Sequence, residues 1–129
     1  MSGVAFHELE AGQPLVAVLC GIPMVGEAVA AALDSIAEVR RFPAGRGDTT
    51  GLLSWLRPDA VVVDTDEEAT GAARFARETG APLVHVSLEG PKLRVLRGDG
   101  WEEVGAAGGS AEALRNVVVG AIFGRGERS

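Results

Sequence analysis

The sequence is poor in the residues that define several protein classes. It has one cysteine, Cys20, no tyrosine, four phenylalanines and two tryptophans among 129 residues. A lone thiol cannot close a disulfide within the chain or furnish a cysteine-rich zinc site. Basic residues are outnumbered, 12 Lys and Arg against 18 Asp and Glu, for a formal charge of −6. A domain of that sign lacks the electrostatic footprint of a nucleic-acid binder and is repelled by anionic lipid. Long apolar runs are missing too. The stretches Leu15–Cys20 and Val117–Phe123 fall far short of the ~20 residues a membrane-spanning helix needs. Met1–Glu10 has neither a basic n-region nor an apolar h-region, so no signal peptide and a cytoplasmic location are expected.

What is present is a chain 47% hydrophobic and 23% charged, with no internal repeat. Its length suits one domain, able to bury a core without staples. Residues 1–13 read as an N-terminal extension and 124–129 as a flexible tail. Short β-branched runs alternate with Ala-rich stretches, which predicts an α/β domain. Leu15–Cys20 reads as a strand buried on both faces. Pro23 suits the first turn of a helix, where its missing N–H has no partner to lose. Val25, Val29, Ala32, Leu33 and Ile36 form that helix's apolar stripe. Val39–Phe42 reads as a short strand at or near a sheet edge. Asp48 is placed to cap a helix running to Leu56, with Leu52, Trp55 and Leu56 on its inner side. Asp59–Asp64 reads as the second strongly buried strand. A helix follows from Asp66 to Thr79, its core face Ala69, Ala72, Ala73 and Ala76, closed by Gly80. Leu83–Leu88 is the next strand. Three strand–helix units in succession imply right-handed crossovers and a parallel sheet.

The last third changes rhythm. Lys92–Leu96 alternates polar and apolar, Gly98-Asp99-Gly100 is a turn signal, and Trp101–Val104 returns, which predicts an antiparallel hairpin. Gly105–Gly109 is a connector. Ser110 then caps a final helix with a stripe of Leu114, Val117, Val118, Ala121 and Ile122. The expected fold is therefore a three-layer α/β sandwich of flavodoxin-like order, four parallel strands with a C-terminal antiparallel hairpin at one edge.

Ligands of doubly wound sheets sit outside the carboxyl ends of the strands. That edge would present Cys20 with Gly21, Asp64 with Thr65 and Asp66, and Ser87. Pro58-Asp59-Ala60-Val61-Val62-Val63-Asp64 resembles the third strand of response-regulator receiver domains, which ends in the phospho-accepting aspartate. Pro82-Leu83-Val84-His85-Val86-Ser87 is similar to the family's fourth strand, which ends in a hydroxyl residue that contacts the phosphoryl group. Pro23 also falls where receivers often open their first helix. The resemblance spans roughly Leu15 to Leu88 and implies Asp64 as acceptor and Ser87 as its neighbour.

Two of the family's chemical elements do not match. The acidic pair that holds Mg²⁺ at the end of the first strand reads Cys20 and Gly21, and Mg²⁺ requires carboxylate oxygens. The lysine of the fifth strand falls at Val104, and Lys92 comes too early. The resemblance then implies a degenerate receiver, or pseudo-receiver: a non-catalytic signalling module outside the control of Mg²⁺-dependent aspartyl phosphorylation. It would need no cofactor or metal. Its partner, another protein or a second copy, would meet the final helix and hairpin around Val119, Phe123 and Trp101.

The competing reading is an enzyme or nucleotide binder built on the Cys20–Gly26 loop. Gly21-Ile22-Pro23-Met24-Val25-Gly26 looks like the glycine-rich turn of dinucleotide-binding domains, with Gly21 and Gly26 matching and Pro23 in place of the middle glycine. Cys20 ahead of such a loop suggests a phosphate cradle, although no base or cation adjoins it in sequence to lower its pKa. Asp64 has a plainer alternative role, ending its strand and, with its neighbours, capping the next helix. His85 reads as a packed, hydrogen-bonded residue, and His7 gives it no convincing metal-binding companion.

Overall fold

The valine-rich runs form the middle of one sheet, where strands buried on both faces belong. The computed structural model describes residues 14–44, 48–87, 92–97, 100–104 and 114–121. In chain order these give β1 (Leu15–Cys20), α1 (Pro23–Leu33), β2 (Glu38–Pro43), α2 (Thr49–Leu56) and β3 (Ala60–Val63). There follow α3 (Asp66–Thr79), β4 (Leu83–Ser87), β5 (Lys92–Arg97) and β6 (Gly100–Val104), and a last helix, α4, over 114–121. The strands lie in the order β2-β1-β3-β4-β5-β6. The first four are mutually parallel, while β5 runs antiparallel to β4 and β6 antiparallel to β5.

Alternating side chains divide the interior into two cores, one on each face of the sheet. Val16, Val18, Val62, Val84, Leu93 and Val95 pack under α1 and α4, meeting Val29, Leu33, Leu114 and Val118. Ala17, Leu19, Val61, Val63, Leu83 and Leu96 pack under α2 and α3, meeting Leu53, Ala72, Ala73 and Phe75. Helices on both faces of a mixed sheet make a three-layer α/β arrangement.

Local chemistry sets the helix ends. Thr65 caps α3 by accepting from the Glu68 N–H, and Asp66, Glu67 and Glu68 occupy its first turn, where carboxylates oppose the positive end of the helix dipole. Gly80 closes it at φ 82°, a left-handed conformation that suits a residue without Cβ. Asp48 caps α2 by accepting from the Gly51 N–H.

Several expectations change in detail. Trp55 does not face the core: it is 77% exposed, and Leu53 is fully buried instead. Two residues along a helix amount to about 200° of rotation, so only one of that pair can point inward. Phe75, absent from the expected core face of α3, is buried beside its alanines. Helix α1 ends at Leu33, and Ile36 packs against the core from the turn beyond it. Val119 of α4 is half-buried. Leu88, the Gly98-Asp99 turn, the connector 105–109, Ser110, Ile122, Phe123, the extension 1–13 and the tail 124–129 lie outside the described residues.

Candidate functional site

The sheet register brings the end of β3 beside the end of β1. Leu19 is opposite Val63, so Asp64 adjoins Cys20 and the turn into α1. The Asp64 carboxylate is buried and spans that turn: Oδ1 accepts from the Gly21 N–H at 2.8 Å and Oδ2 from the Ile22 N–H at 3.2 Å. Of Asp64 and its neighbours, Thr65 is the one that caps the following helix. Both Asp64 oxygens are thus engaged by backbone donors of the turn between β1 and α1. Asp66 turns the other way, its Oδ1 lying 3.5 Å from His85 Nε2. Among the described residues no group of three or more His, Cys, Asp and Glu is disposed to hold a metal ion.

Beside that turn a cleft of about 360 Å³ is lined by Cys20, Gly21, Pro23, Gly26, Arg41 and Phe42, among others. No cation adjoins Cys20 along the chain, yet the fold supplies one. A Cβ built on Gly26 would lie 3.5 Å from Cys20 Cβ and 3.7 Å from the Arg41 guanidinium, so both side chains come close to the first turns of α1. Arg41 lowers the thiol's pKa, but burial and the Asp64 charge outweigh it and push Cys20 up to about 12. A thiol so held stays protonated and is a poor nucleophile. Four of the loop amides are also committed. Gly21 and Ile22 donate to Asp64, Val25 and Gly26 donate to the Ile22 carbonyl, and Pro23 has no N–H. A pyrophosphate cradle needs such donors free.

A second polar cluster lies on the α3 face of the sheet, where β4, β5 and β6 run on beyond the helix. His85 is 5% exposed. Its Nδ1 lies 2.8 Å from Arg94 Nη2, an arrangement that makes Nδ1 the acceptor, since a guanidinium can only donate. The Arg94 guanidinium sits 5.2 Å from the centre of the Trp101 ring, and the Trp101 and His85 rings make a T-shaped pair with their centres 6.2 Å apart. Burial and Arg94 lower the His85 pKa, while Asp66 and Asp64 oppose them. Ser87 ends β4 opposite Lys92. Sequence reasoning found His85 but not Arg94. The missing signal was the pairing of β4 with β5, which sets His85 opposite Arg94.

Comparison with protein-family models, with curated proteins and with solved structures gives no significant match.

Proposed function

We propose that the chain is a non-catalytic signalling module with a receiver-like, flavodoxin-like plan, in which the phospho-acceptor position has become a structural tie. The observation that carries this reading is the Asp64 carboxylate shared between the Gly21 and Ile22 amides, with Cys20 and Gly21 where an acidic pair would be needed. The parallel order β2-β1-β3-β4 supports the plan. Attack on a phosphoryl group would require Asp64 to leave both amides and to approach an anion without the divalent cation that an acidic pair would hold there. The contact surface for a protein partner or a second copy is the hairpin and the last helix, where Trp101 is 37% exposed.

A thermal-shift series tests this. Mg²⁺ with beryllofluoride is expected to leave the midpoint unchanged. A ligand at about a hundred times its dissociation constant adds roughly 2.7 kcal/mol, several degrees in a domain of this size, and such a shift would remove the pseudo-receiver reading. Light scattering over rising concentration reads self-association, which Trp101→Ser is expected to weaken. A strict monomer would confine the surface to a different protein.

One observation favours a second reading, a nucleotide- or anion-binding domain: Arg41 stands in the cleft beside Gly26. NAD(H), NADP(H), adenine and guanine nucleotides and phosphate complete the same series. A shift abolished by Arg41→Gln would establish that reading in place of the first.

A further inference from the structure

The His85 cluster has the components of a latch. The imidazole is enclosed by side chains from several elements: Asp66 from the first turn of α3, Arg94 from β5 and Trp101 from β6. Asp64, at the end of β3, also acts on it through its charge. Only Arg94 bonds to Nδ1, and Nδ1 is where a neutral ring of this tautomer takes up its proton. Arg94 in turn holds the Trp101 ring and stands opposite Glu103 across the β5–β6 pair.

We propose that His85 is a proton-operated latch, which in its neutral form holds Arg94 and Trp101 against the sheet and on protonation releases them. Protonating Nδ1 removes the acceptor and sets two cations 2.8 Å apart. The guanidinium must then move away from the ring. Trp101 loses its cation partner and the His85 ring edge becomes accessible. Strand β5 stays in place, because Leu93 and Val95 remain buried on one face and Leu96 on the other. The imidazolium left behind faces Asp66 and Asp64, which compensate for the lost bond. The sign follows from the direction of the shift. A histidine whose folded pKa is lowered stabilises the closed arrangement above its ordinary value of about 6.5, and that contribution is lost as pH falls below it. The latch operates whatever the hairpin binds.

The test is Trp101 fluorescence in a Trp55→Phe background, since Trp55 is exposed and outside both cores, titrated from about pH 8 to about pH 5 with far-UV circular dichroism alongside. The expected result is a red shift and quenching with a midpoint below 6.5 while the dichroism holds. His85→Gln keeps an acceptor for Arg94 but cannot titrate, so its emission should stay flat. Arg94→Gln, which removes the opposing cation, should move the His85 C2–H midpoint upward in proton NMR; this second measurement decides if His85→Gln fails to fold. A flat parent titration, an unchanged one in His85→Gln, or dichroism lost at the same midpoint would each overturn the latch.

Discussion

Asp59 and Asp64 bracket β3 and clamp the two ends of β1. Asp59 exchanges bonds with Leu15, its Oδ2 accepting from the Leu15 N–H at 2.8 Å and its own N–H donating to the Leu15 carbonyl at 2.7 Å. Asp64 performs the matching task at the Gly21 end. The two differ in burial, and that decides the outcome of removing them. Asp64→Ala strands two amides in a part-buried turn and is expected to cost about 2–3 kcal/mol in urea unfolding. Asp59→Ala opens an exposed contact that water can satisfy, and should cost about 1 kcal/mol or less. Equal losses would mean that the turn is not held by the carboxylate. Cys20 provides a second check at this scale. With its thiol pushed up to about 12, labelling by a thiol reagent at neutral pH should run roughly a thousand-fold slower than for a free cysteine, and recover on unfolding.

The docking of α2 on α3 depends on small residues and hydroxyls. Thr49 Oγ1 donates to Glu68 Oε1 at 2.6 Å, both buried, and Thr50 Oγ1 donates to the Gly71 carbonyl at 2.9 Å. A Cβ on Gly71 would come within 3.0 Å of Thr49 Cβ, whereas one on Gly120 of α4 meets nothing within 4 Å. The same substitution should therefore change sign between the two helices. Gly120→Ala is expected to stabilise by about 0.5–1 kcal/mol through helix propensity alone. Gly71→Ala should destabilise by about 1 kcal/mol as α2 is pushed outward. Thermal unfolding of the pair reads the difference. Most of these elements were legible in the chain. The bounds of α3, capped at one end and closed by Gly80 at the other, follow from local signals that involve few distant residues. Trp55 misled because bulk and hydrophobicity say nothing about which side of a short helix faces inward. The tie from Asp64 to Gly21 was hidden because it joins residues 43 positions apart, and Arg41 reaches Cys20 only because β2 pairs with β1. Local pattern carries no information about such pairings.

Across the whole molecule, β1 and β3 each have a strand on both sides, while β2 and β6 form the outer edges. Charges guard those edges, Arg40 and Arg41 on one and Glu102 and Glu103 on the other, which discourages strand-to-strand pairing between copies. Amides of β1 and β3 should therefore exchange hydrogen slowest, near the rate set by global unfolding, with the amides of β6 faster. Mass spectrometry of exchanged peptides measures the ranking. The clamp on β1 also bears on the order of events during synthesis. Leu15 and Gly21 emerge from the ribosome well before Asp59 and Asp64, the groups that hold them, so the first strand has no central place until the third is out. A chain halted after β2 has a strand pair without its inner neighbour, and the face of β1 that bears Ala17 and Leu19 has no helix to cover it. Folding of this domain can then begin in earnest only once β3 has cleared the exit tunnel. Its earliest vulnerability is that waiting strand.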